Sequence, residues 1–103
     1  MRENPRYKDE NKNRFLREAE EKVLLNLTKT DFGPNELAKA LGTSRTQLHR
    51  KLKSLASLST SKFINKIKLE QAKRLLETTD LSISEIAFSV GYSTLAYFSK
   101  IFS

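Results

Sequence analysis

Glu36-Leu37-Ala38-Lys39-Ala40-Leu41-Gly42-Thr43-Ser44 returns later in the chain as Glu85-Ile86-Ala87-Phe88-Ser89-Val90-Gly91-Tyr92-Ser93. Each copy reads as a short helix closed by a turn at its glycine. Each opens onto a second apolar-periodic stretch, with Leu48, Leu52 and Leu55 behind the first turn and Phe98 and Phe102 behind the second. Two helix-turn-helix units are therefore expected, the second with a turn one residue longer, because Thr94 caps the following helix where Ser44 caps the first. A pair of such units in one short basic chain points to double-stranded DNA, since they can read two successive major-groove faces.

Composition narrows the alternatives. At 103 residues and 38% apolar content, the chain can build one small domain or two half-size lobes sharing an element, with no room for a buried catalytic cleft. It has no cysteine, which excludes disulfides, thiolate metal sites and cysteine nucleophiles and suits a reducing compartment. No apolar run approaches the roughly 18 residues of a membrane span. Met1-Arg2-Glu3-Asn4-Pro5-Arg6 lacks the apolar core of a signal peptide, so a cytoplasmic protein is expected. The formal charge is +7, and its placement says more than its size. Arg45, Arg50, Lys51, Lys53, Lys62, Lys66, Lys68, Lys73 and Arg74 stand against the single acid Glu70 between residues 45 and 74. Phosphate contacts require such a block.

Outward from the repeat, the spacing predicts an all-α fold with short connections. Residues 1–13 are polar and aperiodic and are predicted to form a disordered linker. Phe15, Leu16, Ala19, Val23, Leu24 and Leu27 recur at helical steps and mark a first amphipathic helix. Gly33-Pro34 opens a second helix running to Leu41, with glycine at the N-cap and proline at N1. Ser44 caps a third, with Gln47 in capping-box position. Leu48, Leu52 and Leu55 form its buried edge, and Arg45, Thr46, His49, Arg50 and Lys53 line the opposite one. Ser59 caps a long fourth helix to Thr78 with an apolar stripe of Phe63, Ile64, Ile67, Ala72, Leu75 and Leu76. Its length, roughly 27 Å at about 1.5 Å per residue, suits two units held near one DNA turn, about 34 Å, apart. Ser82 and Glu85 form a second capping box for a fifth helix through Val90, and Thr94 caps a sixth from Leu95. The predicted organisation is a linker over 1–13, a first helix-turn-helix subdomain over 14–58, a linker helix over 59–78 and a second subdomain over 79–103.

The ordered set of motifs resembles the C-terminal DNA-binding domain of the AraC/XylS family of bacterial transcription regulators, as found in hybrid two-component regulators. It is carried by Leu37-Ala38 with Gly42-Thr43-Ser44, by Gln47 through Lys53, and by Phe63-Ile64 with Ile67-Lys68-Leu69 and Ala72. Ile83-Ser84-Glu85-Ile86-Ala87, Val90-Gly91-Tyr92-Ser93 and Tyr97-Phe98-Ser99-Lys100-Ile101-Phe102 complete it. The resemblance implies recognition helices over 45–55 and 95–103 in successive major grooves. By motif position the base-facing residues are Arg45, Thr46, His49 and Arg50 in the first and Leu95, Ala96, Ser99 and Lys100 in the second. Arg50 is the leading candidate, because a guanidinium can bridge guanine O6 and N7. Ser44, Lys51, Lys53, Lys62, Lys66, Lys68, Thr94 and Tyr97 are the candidate phosphate contacts. No catalytic residue, metal site or cofactor is expected. Double-stranded DNA is the expected partner, with RNA polymerase as a second and a sensory or receiver domain lying outside this chain.

Three departures from the family pattern stand out. Ser57 occupies a position where glycine is frequent, which would cost about 1 kcal/mol if the backbone there is left-handed. Thr60 stands where proline is frequent. Relatives continue beyond the equivalent of Phe102, so the second subdomain is expected to be incomplete and the first to carry most of the specificity. His49 is the only histidine and has no cysteine or carboxylate pair at metal spacing, which leaves a solvated side chain or a DNA contact as its roles. Phe98 reads as core at helical spacing rather than as a stacking platform. The rival to DNA binding is a protein-interaction module docking through an exposed apolar C-terminal surface around Phe98 and Phe102.

Overall fold

Four of the five helices among the described residues begin where the sequence supplies a cap. In the computed structural model, which describes residues 5–93 and residue 100, the order is α1 (Pro5–Leu25), α2 (Pro34–Ala40), α3 (Arg45–Ala56), α4 (Thr60–Thr78) and α5 (Ile83–Ser89). No strand occurs among the described residues. At the start of α2 the Gly33 N–H donates to Glu36 Oε1 at 3.0 Å, with Pro34 at the first helical position. Ser44, Ser59 and Ser82 each accept a backbone N–H three residues on, from Gln47, Lys62 and Glu85. Glu85 completes its box by accepting from the Ser82 N–H at 3.2 Å. Gln47 does not follow that pattern: its Oε1 accepts from the Thr43 hydroxyl at 2.9 Å, which ties the helix to the turn instead.

α1 differs from expectation at both ends. It begins at Pro5, so the disordered linker expected over 1–13 is corrected for residues 5–13, which are helical. Arg6, Lys8, Glu10 and Lys12 among them are good helix formers, and extending an existing helix needs no new nucleus. At the other end the helix stops at Leu25, where the Asn26 amide Nδ2 donates to the Lys22 carbonyl at 2.8 Å. Leu27 therefore lies beyond α1, in a turn closed by Lys29 N–H to Asn26 carbonyl at 3.0 Å.

Two cores form around α4. The first gathers Ala19 and Val23 of α1, Phe32, Leu37 and Ala38 around α2, Leu48 and Leu52 of α3, and Phe63, Ile64 and Ile67 of α4. The second joins Ala72 near the other end of α4 to Ile86 and Ala87 of α5 and to Val90 and Tyr92, with Leu27, Leu69 and Leu75 packed against it. One helix thus serves both units. The turns behind α2 and α5 are left-handed at Gly42, φ 68°, and Gly91, φ 88°. Ser57, which ends α3, adopts φ 58°, ψ 27° and its N–H bonds the Lys53 carbonyl, the conformation for which the family's frequent glycine is suited.

Candidate nucleic-acid interface

α3 has its inner face anchored and its outer face open. Leu48 and Leu52 are 0% exposed, while Arg45, Thr46, Gln47, His49, Arg50 and Lys53 are all exposed. A helix fixed by two fully buried leucines holds the side chains opposite them in defined directions. The first turn of α4 lies alongside: Ser59, Thr60 and Ser61 line an open cleft with Pro34, Arg45, Thr46 and His49. The cleft carries hydroxyl, imidazole and guanidinium groups and no carboxylate among its lining residues, a donor-rich surface suited to phosphate oxygens and base edges.

The expected phosphate contacts divide into three groups. Ser44 uses its oxygen as an N-cap and stays exposed, and Lys53, Lys62 and Lys66 are exposed, the last two one turn apart on α4. Lys51 is exposed but holds its ammonium over the Phe15 ring of α1, 4.1 Å from the centroid. Lys68 is corrected: only 6% exposed, it lies inside the molecule with its ammonium 5.2 Å from the centre of the Tyr92 ring. Burial pushes its pKa down from 10.5 by desolvation. Its register on α4 explains the difference. Lys68 follows Ile64 and Ile67 on the inward face, whereas Lys62 and Lys66 stand on the outward one. Of the residues expected in a second recognition helix, Lys100 is helical and exposed. Thr94, Leu95, Ala96, Tyr97, Phe98, Ser99 and Phe102 lie outside the described residues.

Pro34, Ser59 and Ser61 join the cleft without having been anticipated there. Pro34 and Ser59 carry strong helix-start signals, and that local role is all a linear reading can extract. Their approach to α3 is a tertiary fact. Asn65, whose Oδ1 accepts from the Tyr92 hydroxyl at 3.2 Å, was likewise without a signal. Among the described residues no group of three or more His, Cys, Asp or Glu side chains comes together to hold a metal. No helix among them is long and apolar enough to cross a membrane.

Two glycine turns on an all-helical scaffold, one leading into a basic outward-facing helix, define a double helix-turn-helix domain. A family model described as "Helix-turn-helix domain" matches residues 37–103. The chain belongs to that helix-turn-helix family, of the AraC type, a family of DNA-binding transcription-regulator domains and not of enzymes. Over 88 residues, 85% of this chain, it is 36% identical to histidine kinase P4 of Formosa agariphila, of which it spans 6%. Over 67 residues, 65% of this chain, it is 34% identical to the transcriptional activator RhaS of Klebsiella pneumoniae, of which it spans 24%. The C-terminal domain of AraT, a response regulator from Geobacillus stearothermophilus, superposes with a TM-score of 0.76 at 34% identity, covering 84% of this chain and 72% of that one. The chain therefore corresponds to a small part of the full-length relatives.

Proposed function

We propose that the chain binds double-stranded DNA in a sequence-specific way, with α3 in one major groove and the segment 95–103 in the next. The observation that carries this reading is the outer face of α3, where Arg45, Thr46, His49 and Arg50 stand exposed opposite the buried Leu48 and Leu52. Arg50 reads guanine through a bidentate contact, with Arg45, Thr46 and His49 at neighbouring base edges. Ser44, Lys53, Lys62 and Lys66 bind phosphates and fix the register, and Lys51 does so after leaving the Phe15 ring. In the second unit Leu95, Ala96 and Ser99 contact thymine methyls and small groove features, Lys100 reaches a guanine or a phosphate, and Thr94 and Tyr97 hold the backbone. The first unit carries most of the specificity.

The similarity to parts of a histidine kinase and a response regulator supports a role as the output module of a longer cytoplasmic regulator governed by a sensory or receiver domain. A second reading, a protein-docking surface for a partner such as RNA polymerase, is favoured by Ile83 and Phe88, apolar residues exposed at 46% and 53% on the second unit. Fluorescence anisotropy with labelled duplex separates the readings. DNA binding requires log K to fall linearly with log salt, by about 0.9 per phosphate neutralised. No binding at low salt, or binding indifferent to salt, would overturn the DNA reading and leave the docking surface.

A further inference from the structure

The two glycine turns are equivalent in sequence but not in surroundings. A Cβ built on Gly42 meets nothing within 4 Å. One built on Gly91 would fall onto the backbone carbonyl of Leu27, with the Lys68 ammonium 3.4 Å away. Leu27 belongs to the turn between α1 and α2, far from Gly91 in sequence, and its side chain packs against the second core. The residue after Gly91, Tyr92, is 2% exposed; its hydroxyl donates to Asn65 and its ring lies under Lys68. Leu27, Asn65 and Lys68 thus all hold the turn that leads into the second recognition segment. α4 is not the sole connection between the units.

We infer that Leu27, Asn65, Lys68, Gly91 and Tyr92 form a positioning joint that locks the second helix-turn-helix turn against the first unit and so fixes the half-site spacing the domain reads. This rests on the DNA-binding reading given above. The physical basis is direct. A backbone carbonyl cannot swing aside as a flexible side chain can, so only glycine lets the turn seat on Leu27. A lysine stem is long and apolar enough to fill the space beside Tyr92 while its charge rests on the ring face. Two reading units held rigidly act as one bivalent ligand only at the spacing their geometry matches, whereas a loosened pair tolerates several spacings at lower effective concentration.

The test compares Gly91→Ala with Gly42→Ala. Both place alanine in left-handed backbone; only the first collides with Leu27. Each is measured on a duplex selected by the wild-type protein and on versions with one base pair inserted between the half-sites. Wild type and Gly42→Ala should discriminate against the insertion by on the order of tenfold or more, and Gly91→Ala should lose that preference. Tyr92→Phe, which removes the hydroxyl that donates to Asn65, is the gentler variant should Gly91→Ala fail to fold, and should weaken the preference partway. A DNA-independent arm uses spin labels on Lys39→Cys in α2 and Phe88→Cys in α5, introduced into a chain with no native cysteine. The interlabel distance distribution should be narrow in wild type and Gly42→Ala, and should broaden in Gly91→Ala and Tyr92→Phe. Unchanged spacing preference and unchanged distributions in both joint variants would overturn the joint. Absence of DNA binding by wild type with the expected distance changes would instead overturn the DNA reading and leave the joint standing.

Discussion

On the proposed reading specificity depends most on Arg50, which is exposed on a helix whose orientation two buried leucines fix. Arg50→Ala should cost about 1–3 kcal/mol on a selected duplex and relax preference at one base position. Lys66→Ala should weaken cognate and random duplex alike and reduce the salt slope by about 1. Equal losses for Arg50→Ala on both duplexes would remove its base-reading role. Thr60, only 3% exposed, leaves its hydroxyl without a hydrogen-bond partner among the described atoms. It occupies the first position of α4, and Ser59 before it is already extended at φ −66°, ψ 161°. Thr60→Pro should therefore stabilise the fold by about 0.5–1 kcal/mol in urea unfolding. Lys68 gives the pH dependence. Its folded pKa is lowered, so the unfolded chain binds more protons, and stability rises with pH from the depressed value up to 10.5. Stability of wild type relative to Lys68→Met should accordingly climb as pH is raised through that window, and a constant difference would contradict the burial of a charged ammonium. The exposed face of α3 was legible from spacing alone. Lys68 was legible only in its register: it stands four residues after Ile64 and one after Ile67 on the inward stripe, while its charge, like that of the neighbouring lysines, points to the surface.

At the scale of the element, the caps decide the boundaries and were readable because they act within a few residues. Gly33-Pro34, Ser44, Ser59 and the Ser82–Glu85 box start their helices where side-chain chemistry demands. Ser82→Ala should cost about 1 kcal/mol of stability, and Leu52→Ala, which empties a fully buried site on α3, about 2–5 kcal/mol. Circular dichroism during thermal unfolding checks both; a smaller loss for the leucine would contradict its place in the first core. α1 was read less well. Its end at Leu25 depends on Asn26 folding back onto the Lys22 carbonyl, and the helical period of Leu24 and Leu27 concealed that stop. Leu27 consequently serves the second core rather than the first. That assignment depends on which units meet in space, and periodicity carries no such information.

For the whole molecule, α4 gives one part of its apolar stripe to each core, so the two units share a helix that neither could replace. Their contact through Leu27 and Gly91 adds a second tie between the two small cores. The basic block between residues 45 and 74 is distributed accordingly: the exposed cations of α3 and α4 remain available to phosphates, while Lys68 is withdrawn into the joint. On the proposed reading, two units address one duplex at successive major-groove faces. Methylation protection on a duplex selected by this chain tests it most directly. The expected result is two protected guanine patches about 10–10.5 base pairs apart on one face, with Arg50→Ala erasing the patch beneath α3. A single patch, or protection that does not depend on sequence, would contradict it.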